Sequence, residues 1–214
     1  MSINRKNKDH TINSFNVNSI IIISTFAILL LYLSNTILFD DIKQVWADSV
    51  IDTIHVGTSP SDVAYDSHDN RMYVTNFFSS SVSVIDTKTN TVNATIGVGT
   101  SPRGVAYDSF YNKVYVANSG SESVSVIDTK TNTVNATIGV GNDPIGIAYD
   151  TANGHMYVTN SLDNSVSVID TKTNTVNSTL VVGTSPRGVA YDSHDGRVYV
   201  SNEDSDNVSV IDTS

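Results

Sequence analysis

The sequence of 214 residues contains no cysteine, only four prolines and a single tryptophan. Without cysteine the chain can form neither a disulfide nor a thiolate metal site. Positive charge is also scarce, because 12 lysines and arginines stand against 22 acidic residues, giving a net charge of −10. A surface this acidic repels phosphate backbones, so the sequence argues against nucleic acid as a partner.

Long hydrophobic runs are missing as well, apart from one near the N-terminus. Residues 20–39 are apolar except for a few serines, threonines, Tyr32 and Asn35. Twenty helical residues span about 30 Å, the thickness of the hydrocarbon core of a bilayer. Three basic residues precede this run, and Asp40 and Asp41 follow it. The charge asymmetry predicts that the N-terminus stays inside the cell and that the chain after residue 40 lies outside.

Two interpretations of this N-terminal segment remain open. It is either a signal peptide, with a small-residue cleavage site at Val45-Trp46-Ala47, or a transmembrane signal anchor that is retained. In both cases the chain contacts the membrane through this segment. We therefore predict two parts, an N-terminal segment at 1–46 and an extracellular or cell-surface domain at 47–214.

No 3.6-residue apolar period occurs after residue 47. This absence excludes helical repeats and favours β-strands. The phrase S-V-S-V-I-D-T-K-T-N-T-V-N occupies residues 81–93 and returns at 123–135 and 165–177. Ala-Tyr-Asp recurs at 64–66, 106–108, 148–150 and 190–192, so each step is 42 residues. A unit of this length suits four short strands, the size of one blade of a β-propeller.

Turn residues divide each unit into its strands. In the second unit we predict strands near 105–108, 114–118, 124–128 and 133–140, because these segments are rich in Val, Ile, Tyr and Thr. Asn153-Gly154 and Asp195-Gly196 predict two-residue hairpins between the first and second strands, where both residues must accept positive φ.

The fourth unit ends before its outermost strand, and the equivalent of that strand occurs near the start of the domain. Residues 52–57 align with residues 94–99, and residues 47–214 correspond to four units of 42. We therefore predict an all-β fold, a β-propeller of four four-stranded blades closed by an N-terminal strand and preceded by one hydrophobic helix. Two alternatives stay open, an eight-bladed ring of two chains and a fragment of a longer propeller.

A family resemblance supports the repeat assignment. Tyr73-Val74-Thr75-Asn76 recurs as Tyr157-Val158-Thr159-Asn160, with close variants at 115–118 and 199–202. Together with the S-V-S-V-I-D-T phrase, this closely resembles the YVTN-family β-propeller repeat of archaeal and bacterial surface-layer proteins. The resemblance covers residues 47–214 and implies a propeller at the cell surface. Related propellers include sugar-lactone hydrolases and quinoprotein dehydrogenase subunits, so the fold alone does not select an activity.

A dedicated site in near-identical units must appear as a departure from the shared pattern. The loops between second and third strands, and those entering each first strand, differ between units and are predicted to surround one mouth of the central tunnel. The proposed ligand or partner surface combines apolar contacts with two cationic groups, namely Phe77, Phe78, Leu162, Arg103 and Arg187. The alternative is that exposed loop tips tolerate change.

Two further groups of residues are weaker candidates. Acidic residues at the same mouth offer oxygen ligands for Ca²⁺, although without the spacing of a ligand loop; they are Asp62, Asp163, Glu203 and Asp204. Four sequons predict glycosylation at Asn93, Asn135, Asn177 and Asn207, whereas the plainer interpretation is a solvated strand. No catalytic residue and no cofactor are predicted.

These observations favour an exported, non-catalytic binding or structural module that contacts a protein or glycan at the cell surface. Two alternatives are kept: a metal-dependent propeller enzyme of the lactonase or lyase type, and a subunit of a redox assembly.

Overall fold

Residues 48–213 are described in a computed structural model of the chain. The chain divides into two units, Met1–Ile51 and Asp52–Ser214. The predicted hydrophobic helix at 20–39 and the cleavage site at 45–47 lie outside the described residues. Within 48–213, no helix has the length and apolarity needed to cross a membrane.

The described chain is a series of antiparallel strands with one short 3₁₀ helix, Glu203–Ser205. Three sheets have four strands and one has three, each in sequence order from its first strand outward. We call these sheets blades 1 to 4. Blade 1 is β1 (Pro60–Asp66), β2 (Arg71–Asn76), β3 (Ser81–Asp86) and β4 (Thr91–Gly97); blade 2 is β5 (Pro102–Asp108), β6 (Lys113–Asn118), β7 (Ser123–Asp128) and β8 (Thr133–Gly139); blade 3 is β9 (Pro144–Asp150), β10 (His155–Asn160), β11 (Ser165–Asp170) and β12 (Thr175–Val181); blade 4 is β13 (Pro186–Asp192), β14 (Arg197–Asn202) and β15 (Asn207–Asp212).

The predicted strands of the second unit are confirmed by β5 to β8, but the predicted two-residue hairpins are wrong. Four residues separate β9 from β10, and Asp150 pairs directly with His155. Of the turn residues Asn153 and Gly154, only Gly154 has a positive φ, +74°. The longer turn forms because the Asp150 carboxylate accepts hydrogen bonds from the backbone N–H groups of Ala152 and Asn153, an Asx-type arrangement.

The blades pack face to face, with their first strands adjacent: β1 lies beside β5, β5 beside β9, and β9 beside β13. Each interface encloses an apolar cluster. Between blades 1 and 2 the cluster contains Tyr73, Val82, Val84, Val114 and Val116, all completely buried. Because the repeat places Val and Ile at the same positions in every unit, the next two interfaces have equivalent clusters.

The structure of the fourth blade shows that the predicted closure of the ring by an N-terminal strand is wrong. This blade has three strands, in the order β13-β14-β15, and residues 48–59 contain no strand. The predicted N-terminal strand therefore does not complete blade 4 within the described chain.

The N-terminal residues of the domain instead contact blade 1. Asn90 Nδ2 donates to Asp52 Oδ2 at 3.1 Å, and the Thr58 N–H donates to Ser79 Oγ at 2.8 Å. The Phe77 N–H donates to the Ser59 carbonyl at 2.9 Å. These bonds hold the start of the domain at the opposite end of the row of blades from β15.

Candidate functional site

The blades present two ends to solvent, and we name them for the loops they carry. The mouth face carries the loops between second and third strands together with the segments that enter each first strand. The turn face carries the other two hairpins of each blade, such as residues 109–112 between β5 and β6 and residues 129–132 between β7 and β8.

A shallow groove of about 310 Å³ lies on the mouth face and is lined by residues from the first strands of all four blades. Its lining residues are Ser61, Asp62, Arg103, Gly104, Ile145, Gly146, Arg187 and Gly188. The structure thus brings together the two arginines predicted from the sequence. It does not add Phe77, Phe78 or Leu162 to the same groove.

Both arginines are already engaged by neighbouring side chains. The Arg103 guanidinium lies over the Phe77 ring, 4.9 Å from its centroid, and its Nε donates to Ser119 Oγ at 3.2 Å. Arg187 forms an ion pair with Glu203. These contacts restrain both guanidinium groups, and the Glu203 carboxylate offsets the positive charge of Arg187.

The remaining predicted apolar contacts are exposed but separate. Phe78 is 74 % exposed and packs edge-on against Phe77, whereas Leu162 is 73 % exposed in blade 3. An exposed side chain of this kind adds contact area to a partner, but isolated exposed apolar residues are common on protein surfaces.

The acidic residues predicted as weak Ca²⁺ ligands each have a nearby donor. Asp62 accepts from the N–H groups of Val63 and Val105, at 2.8 and 2.9 Å. Asp163 accepts from both the side chain and the backbone of Asn142, and these bonds lower the pKa of Asp163. Glu203 pairs with Arg187, as described above, and Asp204 accepts from Ser185 Oγ. Within residues 48–213, no three His, Asp or Glu side chains form a group suited to a metal ion.

A second groove, of about 340 Å³, lies on the turn face between blades 2 and 3. It is lined by aromatic and polar side chains: Phe110, Tyr111, Tyr149, Thr151, Ala152, Asn153, Gly154, His155, Asp170 and Lys172. This combination of aromatic walls and a few polar groups is typical of small-molecule sites.

The aromatic wall of the turn-face groove is built from adjacent residues of one hairpin. Phe110 and Tyr111 contact each other edge to face, with ring centroids 4.7 Å apart, and Lys113 Nζ lies 5.6 Å from the Tyr111 centroid. The hairpin is held by Asp108, whose carboxylate accepts from the N–H groups of both aromatic residues. The Phe110 side chain is 75 % exposed, so it can contact a ligand without rearrangement.

Burial and the neighbouring Asp108 carboxylate raise the pKa of Tyr149, at the inner edge of this groove. The Tyr149 hydroxyl is neutral at physiological pH and lies beside the Asp108 carboxylate. Lys172 and Asp170, in the turn after β11, also line the groove. Asp170 accepts from the backbone N–H of Lys172 at 2.8 Å, which orders this turn.

Sequence reasoning missed the turn-face groove because its residues occur in a hairpin whose pattern indicates a purely architectural role. A signal was nevertheless present. The other units have His68-Asp69, Ala152-Asn153 and His194-Asp195 at the position of Phe110-Tyr111. The aromatic pair is thus a departure from the repeat of the kind used to select the mouth residues.

The predicted glycosylation sites are accessible. Asn93, Asn135 and Asn177 are exposed on the outermost strands β4, β8 and β12. Asn207 is also exposed, at the start of β15, but its Oδ1 accepts a hydrogen bond from Asn202 Nδ2 at 2.8 Å. Modification at these sites stays a prediction.

Comparisons with known proteins agree with the architecture. A family model described as "Lactonase, 7-bladed beta-propeller" matches residues 129–214. Among solved structures, Kuenenia stuttgartiensis hydrazine synthase is similar, with a TM-score of 0.63 and 23 % identity over 77 % of this chain and 53 % of that chain. The fold is that of a β-propeller.

These matches show the fold of this propeller and leave its activity open. The present chain spans about half the length of the hydrazine synthase chain that it resembles. At 23 % identity the similarity extends to the fold alone. No curated protein matches the sequence.

Proposed function

We propose that this propeller is an exported, non-catalytic binding module that recognises a glycan through the turn-face groove. The observation that carries the proposal is the exposed Phe110-Tyr111 pair beside a 340 Å³ groove with polar side chains on its other walls. A pyranose ring offers one face of C–H groups and a rim of hydroxyls. An aromatic ring packs against the C–H face, and amide, carboxylate and ammonium groups form hydrogen bonds with the hydroxyls.

The location at the cell surface is part of the same proposal. Two features of the sequence support a location at the cell surface. Basic residues precede the apolar run at 20–39, and the repeats resemble those of surface-layer proteins. Exposed sequons on the outer strands are compatible with that environment.

Binding of the full chain to a panel of immobilised neutral and acidic oligosaccharides tests the proposal. We expect retention on a subset of the panel, and Phe110→Ala should weaken it by about tenfold, because truncating a central aromatic contact removes more than about 1 kcal/mol. Phe78→Ala is the matched control, since Phe78 is equally exposed but lies on the mouth face.

Two results would contradict this assignment. Retention that is lost in Phe78→Ala and unchanged in Phe110→Ala would move the binding site to the mouth face, where the sequence predicted it. No retention on any oligosaccharide would remove glycan recognition as the function.

A lactone-hydrolysing enzyme is the second candidate, because the matching family model carries that description. For this candidate we propose the mouth groove as the site, because Arg103, Arg187 and Asp62 line it together. Hydrolysis of an aldonolactone by the full chain, measured by proton release with Ca²⁺ or Mg²⁺ and again with a chelator, separates this candidate from the binding module. A rate above that of buffer in either condition favours the enzyme.

A further inference from the structure

Each interface between blades uses two different faces. The face directed to the next blade carries Val82 and Val84 in blade 1, and both are completely buried. The face directed to the previous blade carries Val105 in blade 2, which is 6 % exposed. The same two faces meet again between blades 2 and 3 and between blades 3 and 4.

The two ends of the row display the same faces to solvent. On blade 4, Val208 and Val210 are the counterparts of Val82 and Val84, and they are 57 % and 55 % exposed. On blade 1, Val63 is the counterpart of Val105 and is 55 % exposed. The chain therefore carries one half of a blade interface at each end.

Polar groups at the two ends are matched in the same way. Within the row, Tyr107 of blade 2 faces Asp66 of blade 1, and Asp66 is completely buried. The counterparts at the open ends are Tyr65, 47 % exposed, and Asp192, also exposed. If blade 4 of one copy packed against blade 1 of another copy, Asp192 and Tyr65 would face each other as Asp66 and Tyr107 do within the chain.

The residues just before β1 contact blade 1 as the link between β4 and β5 contacts blade 2. Gly57 lies against Asn76 as Gly99 lies against Asn118, and the ideal Cβ position in both cases is 2.6 Å from the asparagine Cγ. The Phe77 N–H bonds the Ser59 carbonyl just as the Ser119 N–H bonds the Ser101 carbonyl. Residues 57–59 thus enter blade 1 with the geometry of residues 99–101 entering blade 2, and no strand pairs with residues 52–57.

We propose that two copies of this chain assemble head to tail into one eight-bladed ring. Blade 4 of each copy packs on blade 1 of the other, and residues 52–57 form the fourth strand of the partner's blade 4. The interface is continuous with the three interfaces within the chain, because it repeats their apolar and polar positions. Eight blades lie within the usual range of about four to eight, whereas three copies would give about twelve. Two such heterologous contacts close the assembly and cover both open faces.

The repeat fixes the register of the intermolecular strand pair. In blades 1, 2 and 3 a serine of the third strand lies opposite a threonine of the fourth: Ser83 with Thr95, Ser125 with Thr137 and Ser167 with Thr179. The same register places Ser209 opposite Thr53 of the other copy. Directly opposed residues have Cα atoms about 4.5–5.5 Å apart, within the range that a disulfide bridges.

Because the chain has no cysteine, a double variant Thr53→Cys with Ser209→Cys tests the assembly directly. After mild oxidation of the full chain, we expect a band of two chains on a non-reducing denaturing gel, converted to one chain by reductant. The matched control is Ile54→Cys with Ser209→Cys, which moves one thiol to the other face of the same strand and should remain unlinked.

Three outcomes would overturn the proposal. An internal disulfide in a single chain would show a closed four-bladed ring, a ladder of higher species would show an open filament, and the absence of any link would show that the faces do not meet. If this pair prevents folding, Val208→Cys with Ile54→Cys provides a second pair, chosen because Val82 lies opposite Ile96 in blade 1. The same three outcomes apply to it. The result does not depend on glycan binding, so this proposal and the proposed function fail separately.

Discussion

Glycine 146 shows how closely neighbouring blades approach at the level of single residues. A Cβ at this position would lie 2.2 Å from the Arg187 backbone carbonyl oxygen on β13. A backbone oxygen cannot move aside as a flexible side chain can. At this interface β9 and β13 therefore approach so closely that a Cβ does not fit, and the φ angle of Gly146 lies outside the left-handed region.

We expect Gly146→Ala to reduce the free energy of unfolding by about 1–3 kcal/mol, the usual effect of overpacking. The measurement is denaturant unfolding of the full chain followed by circular dichroism. Gly97→Ala is the control, since its Cβ would meet no atom within 4 Å, and it should change stability by less than about 0.5 kcal/mol. Equal losses for the two variants would contradict the close approach of the blades.

Residue identities alone do not reveal such constraints. Gly97 and Gly146 are both strand glycines in the repeat, and only the packing of β13 against β9 distinguishes them. Asp62, at the position equivalent to Gly146, is a second residue whose contacts with the next blade do not follow from its identity. The sequence predicts it as a weak Ca²⁺ ligand and gives no sign of a second contact that the structure shows, in which its Oδ2 accepts the Val105 N–H of the next blade.

The tyrosines of the second strands connect one blade to the next at the level of elements. The Tyr115 hydroxyl of β6 donates to Asn174 Oδ1 at 2.7 Å, in the turn that links β11 and β12 of the following blade. Tyr73 contacts Asn132 in the same way at 3.3 Å, and its burial raises its pKa to about 12. Burial also raises the pKa values of Tyr107, Tyr115, Tyr149, Tyr157 and Tyr191.

These shifts predict that the sheets unfold in alkali. The folded state favours the neutral phenol, so the stabilisation is complete below pH 10, the ordinary tyrosine pKa, and is lost as pH rises through about 12. We expect the β-sheet signal in circular dichroism to fall between about pH 10 and 12, together with the appearance of tyrosinate absorbance in the near ultraviolet.

The urea-unfolded chain provides the control for this titration, because its tyrosines ionise without the cost of leaving a buried site. Complete ionisation of all tyrosines with the sheet signal intact would contradict their burial between blades.

At the same scale, the sequence predicted where strands occur better than how they connect. The alternating Val, Ile and Tyr of residues 113–118 and 123–128 sufficed to locate β6 and β7. The length of the first hairpin did not follow from Asn153-Gly154. The Asp150 carboxylate accepts hydrogen bonds from the turn and so favours a four-residue loop over a two-residue hairpin. Because Asp150 lies outside the Asn153-Gly154 dipeptide, the dipeptide alone did not predict the loop length.

For the whole molecule, the repeat predicted a propeller and the equivalence of residues 52–57 to an outer strand. It also predicted that this strand completes blade 4 of the same chain, and that prediction was wrong. The 42-residue period fixes the register of each unit but not the angle between successive units, and that angle decides whether the first and fourth blades meet. The exposure of Val63 and Val208 shows that they do not meet within the described chain.

The most direct test of the two-copy ring is the native mass of the full chain, released from detergent micelles, across a wide range of concentration. We predict a two-chain species of twice 23.0 kDa for unprocessed chains, or of twice the mass of the denatured chain if the N-terminus is removed. Val208→Lys should convert it to single chains that remain folded, because Val208 is exposed within one copy, whereas Val82→Lys at the equivalent buried position should unfold the chain. A wild-type protein that remains a single folded chain at every concentration would show that the two-copy ring does not form.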